Sequence, residues 1–304
     1  MKARAFLRKV LPPGWLPYIL HLRPRTWPIA TFHMSVGFLL ANGFHFTADT
    51  LRRWVIAVVA WVILGNGGTL SINSVFDKDE GDIGYLDDPP PPPQYLLPFS
   101  VIFMLLGLPL AVALGWRFLV AYLMSLAMSI LYSVPPFRMK GRTGFDVLIN
   151  AVGYGALTVY AGWAALGRSL TPPIVSVVCG SFFMVAGTLP LSQIYQIDED
   201  RRRGDSTLAV LFTKRQSLLF AMAAEALAFV FVLSEAWTRY RALPSLGLLL
   251  ALLAWGIVIF PWYAQHDRVD RHYEKRGFYR ALWACFLTDL SIILAMSPAF
   301  VALL

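Results

Sequence analysis

The chain has 304 residues, of which 57% are apolar and 14% are charged, and its mean hydropathy is +0.59. Soluble domains carry about 45–50% apolar and about 25% charged residues, so the composition excludes a soluble enzyme, a disordered chain and a disulfide scaffold. The net charge of +8 is explained by basic cytoplasmic loops, and we expect no nucleic-acid partner. The composition therefore predicts an integral membrane protein, in contact with membrane lipids.

Residues 1–25 form a basic segment that lacks the apolar core and cleavage site of a signal peptide, so we expect it to lie along the inner membrane surface. Beyond it, uncharged runs have about the 20 residues that a spanning helix needs. They predict nine helices in a single domain over 1–304, at residues 26–43, 54–76, 96–115, 118–134, 145–166, 173–197, 215–234, 243–263 and 279–303. Only residues 115–117 separate the third and fourth helices, so eight or ten helices also fit the pattern.

The charges predict an orientation. Over the alternating loops, 20 of the 26 Lys and Arg residues fall on the side of the N-terminus. Because basic residues concentrate in cytoplasmic loops, we expect the N-terminus inside and the C-terminus outside. Most acidic residues lie on the same face, whereas Glu225 and Asp289 fall within predicted helices. We therefore expect a protein of a bacterial inner membrane whose active site opens on the cytoplasmic face.

An acidic cluster ends the second predicted helix. Asn73 and Asp77 are four residues apart and so share one helical face. Four carboxylates within six residues repel one another unless a cation lies among them. Hard oxygen ligands suit magnesium, particularly when substrate phosphates complete its coordination. The carboxylates belong to Asp77, Asp79, Glu80 and Asp82.

A second acidic cluster ends the sixth predicted helix. Gln196 and Asp200 are expected to share a helical face, with Asp198 rotated roughly 200° from Gln196. Each cluster alone is also typical of a solvated loop at a helix end, but two such clusters suit a clamp for a metal-bound diphosphate. Between them, two prolines are predicted to end the fourth helix. Arg138 and Lys140 follow, suited to a diphosphate and also usual in any cytoplasmic loop.

These motifs together resemble the UbiA superfamily of intramembrane prenyltransferases, and the similarity spans essentially the whole chain. The quoted segments are Asn73…Asp77…Asp82, Tyr132-Ser-Val-Pro-Pro-Phe-Arg138-Met-Lys140 and Asp200…Gly204…Thr207-Leu-Ala-Val. The resemblance implies an all-helical fold of about nine transmembrane helices around a central cavity. It also implies two Asp-rich motifs that use Mg²⁺ to bind a polyprenyl diphosphate, whose prenyl group is transferred to an aromatic, quinone-precursor or other lipophilic acceptor.

Carried over residue by residue, the resemblance assigns Asn73, Asp77 and Asp82 to the metal–diphosphate site. Asp200 matches the second acid of the other motif, and Gln196 stands where the family usually has the first. An amide can ligate magnesium but cannot act as a general base, so proton removal from the acceptor falls to Asp200, Asp198, water or diphosphate. The remaining diphosphate-side candidates are Arg23, Tyr132, Arg138, Lys140 and Tyr195.

Three functions fit the sequence. A prenyltransferase would let an acceptor carbon attack the allylic cation that diphosphate departure leaves behind. A UbiA-like terpene cyclase would use the same clamp but close the cation on its own chain, and Gln196 keeps that alternative open. A transporter would need ionisable residues near the bilayer midplane and a repeated pair of broken helices. Glu225 and Asp289 have no second copy of the acidic motif beside them, which disfavours transport.

Overall fold

The computed structural model describes residues 9–77, 86, 88–240 and 242–296, which are almost entirely helical and contain no strand. Eight helices are long and apolar enough to cross a membrane, and a ninth, α1, has 16 residues. The nine are α1 (Trp27–Asn42), α2 (Ala48–Asp77), α3 (Leu96–Leu114), α4 (Trp116–Ser133), α5 (Phe145–Ala164), α6 (Pro172–Ile194), α7 (Lys214–Tyr240), α8 (Ala242–Ala264) and α9 (Arg271–Ala295).

Two of these helices begin earlier than apolarity predicts. Helix α2 begins at residue 48 rather than 54, because Thr47 and Thr50 form a capping box ahead of its apolar run. Helix α9 begins at residue 271 rather than 279, where the Asp270 carboxylate accepts a hydrogen bond from the Tyr273 amide at 2.8 Å. The predicted end of that helix, at 303, lies outside the described residues. Gly115 alone separates α3 from α4, and its φ of 108° suits the sharp reversal.

The basic N-terminal segment includes a short helix, Trp15–His21. Its Tyr18 ring packs against Phe99 at the start of α3, with 5.1 Å between ring centroids. The His21 ring is hydrogen-bonded to the Pro90 carbonyl at 3.0 Å. These contacts tie the segment to the same end of the bundle as the predicted acidic motifs.

The glycines of α5 have two different roles. A Cβ on Gly162 would lie 1.9 Å from the Met34 carbonyl of α1, and a Cβ on Gly155 would lie 2.5 Å from the Ser181 carbonyl of α6. Both glycines therefore permit close helix packing. Gly153 instead lines the central cavity, and its nearest neighbour would be the Met128 methyl group at 3.8 Å. The glycines of α5 thus serve both close packing and the space of the cavity.

The outer surface of the bundle is apolar. Helix α8 shows this most clearly, because one side of it packs on α7 and α9 while the other exposes large aliphatic and aromatic side chains. Such a surface suits contact with lipid. The exposed side chains of α8 are Leu246, Leu249, Leu250, Leu253, Ile257 and Phe260.

Candidate active site

A central cavity of about 830 Å³ is lined by six helices, α1, α2, α4, α5, α6 and α9. Arg23, Asn73 and Gln196 line one end, which we call the mouth, where the helices meet the loops that carry the predicted motifs. Tyr132 and Tyr195 line the wall beside the mouth. Burial raises the pKa of Tyr195, so its hydroxyl stays neutral near pH 7.

The first motif converges on one lysine. Lys140 donates a hydrogen bond to the Asn73 side-chain oxygen at 3.0 Å and forms an ion pair with Asp77. The shared helical face of Asn73 and Asp77 is what lets both reach the same ammonium group. The Lys140 and Asp77 side chains are only 10% and 9% exposed. This ion pair is therefore buried, unlike the solvated loop that was the alternative interpretation of the acidic cluster. Asp79, Glu80 and Asp82 lie outside the described residues.

The loop after α4 packs on the second motif. Arg138 forms an ion pair with Asp205, with its Nη2 3.3 Å from Oδ2. Three residues after Arg138, the Gly141 carbonyl accepts a hydrogen bond from the Ser206 amide at 2.9 Å. A Cβ on Gly141 would lie 2.6 Å from the Asp205 carboxylate, so only glycine allows this close approach. Arg23 reaches the first motif instead, through a 3.4 Å contact with the Ser74 hydroxyl.

The second motif departs from the predicted geometry. Helix α6 ends at Ile194, and a separate short helix, Ile197–Arg203, begins after the turn. Gln196 is the N-cap residue of that short helix, and its carbonyl accepts the helical hydrogen bond from the Asp200 amide at 2.9 Å, so the two residues keep their i, i+4 relation on the short helix rather than on α6. Gln196 lines the cavity, with its amide nitrogen 3.4 Å from the Tyr195 hydroxyl. The Asp198 side chain is 88% exposed, so we leave it out of the proposed site.

Asp200 is held from two sides. Its carboxylate accepts hydrogen bonds from Arg203 at 2.7 Å and from the Thr207 hydroxyl at 3.2 Å. Burial raises the pKa of Asp200, and Arg203 opposes that rise. Burial lowers the pKa of the Lys140 ammonium group to about 7, and the nearby carboxylates of Asp205 and Asp200 oppose that shift. The structure thus brings the two motifs together around Lys140, at the mouth of the cavity.

A buried carboxylate that the motifs do not include supports the second motif. Asp146, at the start of α5, is fully buried and accepts hydrogen bonds from the Gln193 amide at 2.7 Å and the Leu208 backbone amide at 3.0 Å. Gln193 also accepts one from the Ala209 amide at 3.4 Å. Asp146 therefore anchors the chain just after Thr207 to helices α5 and α6. The sequence marks Asp146 only as a single acidic residue at the predicted start of a helix, which does not indicate this role.

The donor set can be tested against magnesium. Within the described part of the chain, no three His, Cys, Asp or Glu side chains form a metal-binding group. Magnesium, however, is commonly held by one or two carboxylates and completed by substrate phosphates and water. Asp77 and Asp200 supply one carboxylate each near the mouth, and Asn73 supplies an amide oxygen. These residues fit a magnesium ion that is shared with a bound diphosphate.

The sequence is similar to those of several known proteins. The model of the UbiA prenyltransferase family matches residues 30–286. The chain is 28% identical over 279 residues to a lycopene elongase/hydratase of Haloarcula japonica, covering 84% of this chain and 90% of that protein. It is 26% identical over 204 residues to a chloroplastic chlorophyll synthase of Avena sativa, covering 62% of this chain. The chain spans about half, 53%, of the length of that synthase.

Solved structures share the fold. A UbiA homologue from Archaeoglobus fulgidus, bound to GPP and Mg²⁺, superposes with a TM-score of 0.67 at 20% sequence identity. The match covers 91% of this chain and 99% of that one. A digeranylgeranylglyceryl phosphate synthase structure gives a TM-score of 0.65 at 16% identity, covering 92% and 98%. The all-helical fold is therefore shared over nearly the whole chain.

Proposed function

Because this chain belongs to the UbiA prenyltransferase family, we propose that it transfers a prenyl group from an allylic polyprenyl diphosphate to a lipophilic acceptor. In this reaction the allylic carbon–oxygen bond breaks and diphosphate leaves with the electron pair. An electron-rich carbon of the acceptor then attacks the allylic cation and loses a proton. We propose that the protein lies in a bacterial inner membrane and that the site opens on its cytoplasmic face. The side of the bundle that carries the N-terminus and the motifs has 20 of the 26 basic residues, and basic residues concentrate in cytoplasmic loops.

The observation that carries the proposal is the pairing of cations with acids at the mouth. Lys140 is held by Asp77 and Asn73, and Arg138 is held by Asp205. A magnesium diphosphate matches both halves of these pairs, since phosphate oxygens accept from the cations and the metal takes the carboxylates. The mouth is thus a set of charges that can exchange partners when such a ligand enters.

The residues divide into three tasks. Arg138, Lys140 and Arg23 hold the diphosphate, and Tyr132 and Tyr195, which line the cavity, offer aromatic faces to the allylic cation. Bound magnesium would stabilise the charge of the departing diphosphate. The proposed ligands of that magnesium are Asn73, Asp77, Asp82, Gln196 and Asp200.

The experiment measures diphosphate release by the purified protein with a panel of allylic diphosphates, with and without lipophilic acceptors, and identifies products by mass spectrometry. A transferase releases diphosphate slowly without acceptor and forms a prenylated acceptor when one is supplied. Release at full rate from the prenyl substrate alone, with a cyclic product, would establish a terpene cyclase instead. Turnover that persists in EDTA would exclude the magnesium clamp.

A further inference from the structure

The cavity has a second polar end, which we call the floor. His33 of α1 and Asp289 of α9 line it, with the ring Nδ1 2.9 Å from one carboxylate oxygen and 3.0 Å from the other. Both residues are buried within the bundle. Along α2, the lining runs from Asn73 at the mouth to Trp61, twelve positions earlier. At 1.5 Å per residue, the cavity lining therefore extends about 18 Å along α2.

This pair does more than join two helices. Ionisable side chains inside a membrane are costly, and most of them serve a function. A carboxylate has about four acceptor sites, and His33 is the one hydrogen-bond donor that the described residues supply to Asp289. Because Asp289 also lines the cavity, its remaining acceptor capacity is available to a ligand.

The surroundings of the pair suit a ring with a polar substituent. Trp61, Phe32 and Phe286 line the same cavity, and the two phenylalanine rings lie 4.5 Å apart. Flat aromatic surfaces beside a hydrogen-bond acceptor match a ligand with an apolar ring and a hydroxyl group. A hydrocarbon prenyl tail offers nothing to the Asp289 carboxylate.

We propose that Asp289, oriented by His33, binds the hydroxyl group of a phenolic acceptor. This inference rests on the proposed prenyl transfer and names the substrate class of the acceptor. The hydroxyl donates a hydrogen bond to the Asp289 carboxylate at the floor, and the ring lies between the floor and the reacting end of the diphosphate substrate. The prenyl tail then leaves the cavity sideways between helices.

The test compares two probes of nearly equal size, para-octylphenol and its methyl ether. Their binding to the purified protein in lipid nanodiscs is measured by isothermal titration calorimetry. We expect the phenol to bind at least about tenfold more tightly, because a hydrogen bond to a buried carboxylate is lost in the ether. Equal affinity for the two probes in the unsubstituted protein would overturn the proposal without any variant.

Two variants locate the preference. Asp289→Asn removes the charge but keeps the size, and we expect the preference to fall to about threefold or less. Glu225→Gln is the matched control: Glu225 is also a buried acid inside a helix, but it does not line the cavity, so the preference should stay. A preference that survives Asp289→Asn would place the hydroxyl elsewhere.

The proposed function and the floor subsite fail in different ways. Prenyl transfer without a phenol preference would leave the transferase standing and remove the subsite. A phenol preference without transfer from any allylic diphosphate would do the opposite. His33→Gln, which can still donate an N–H to Asp289, should give a preference between those of the unsubstituted protein and Asp289→Asn, because His33 only orients the carboxylate.

Discussion

The two ends of the cavity are both polar, but they are built differently. At the mouth, charged side chains come from loops and helix ends, and two of the cations already face acids, Lys140 facing Asp77 and Arg138 facing Asp205. At the floor, the pair His33 and Asp289 comes from the interior of two helices that pack against each other. Loop charges can exchange partners with an entering anion, whereas the floor presents a fixed acceptor. The mouth is therefore suited to ionic chemistry and the floor to recognition.

The largest expected effect tests the mouth. Asp200→Asn should lower turnover at least about a hundredfold, because it removes a carboxylate that the proposed magnesium ion needs. The matched control is Asp198→Asn, two residues away in the same short helix, with a side chain 88% exposed against 7% for Asp200. Steady-state kinetics across a magnesium series distinguish them. Equal losses in the two variants would refute the assignment of Asp200.

The next effect tests what positions the mouth. Asp146→Ala should lower the free energy of unfolding by about 2–4 kcal/mol, because it leaves the Gln193 and Leu208 amide donors buried without an acceptor. Asp146→Asn keeps one acceptor oxygen and should cost less. Thermal unfolding and the magnesium concentration for half-maximal rate are measured together. We expect both to change, and a change in stability alone would limit Asp146 to a structural role.

These two predictions show what the sequence reveals and what it does not. The spacing of Asn73 and Asp77 predicts their shared face, because i and i+4 neighbours follow from local helix geometry alone. The same reasoning predicts the i, i+4 spacing of Gln196 and Asp200, but it does not predict the turn before Gln196 that separates both residues from α6. A spacing rule holds only while the helix continues, and apolarity does not reveal where a polar helix end breaks.

Contacts between distant segments are harder to predict. His33 and Asp289 are separated by 256 positions, and each is a lone polar residue in an apolar run. The sequence marks both as unusual but contains no pattern that pairs them. The nine helices, in contrast, follow from apolar run length, and the misplaced starts of α2 and α9 are polar turns beyond those runs. Run length thus predicts the bundle, while its cavity depends on which helix faces meet.

A smaller effect tests whether close packing shapes the inner wall of the cavity. Gly155→Ala should destabilise the protein by about 1–3 kcal/mol, because its methyl group would meet the Ser181 carbonyl at 2.5 Å. Gly153→Ala, two residues away on α5, meets nothing closer than 3.8 Å and should leave the unfolding temperature nearly unchanged. Equal unfolding temperatures for the two variants would show that α5 can shift on α6, and that the wall is not rigid.

The smallest effect separates a diphosphate contact from simple loop charge. Arg138→Gln should lower the rate by at least about tenfold, equivalent to ~1.4 kcal/mol, because one charge-assisted contact is lost. Arg142→Gln removes the same charge from the same loop, so any influence of loop charge on membrane orientation is equal in both variants. Among the described residues, the Arg142 guanidinium donates a hydrogen bond to the Pro136 carbonyl at 3.3 Å and forms no ion pair.

The two variants should have similar stability, because a second cation still faces Asp205 when Arg138 is replaced. Arg203 Nε lies 3.6 Å from the Asp205 carboxylate, so the buried acid is not left alone. Unfolding temperatures of the two variants should therefore agree within a few degrees while their rates differ. If the two rates are equal, the net charge of the loop matters but the position of Arg138 does not. Lys140 would then be the residue of this loop that binds the diphosphate.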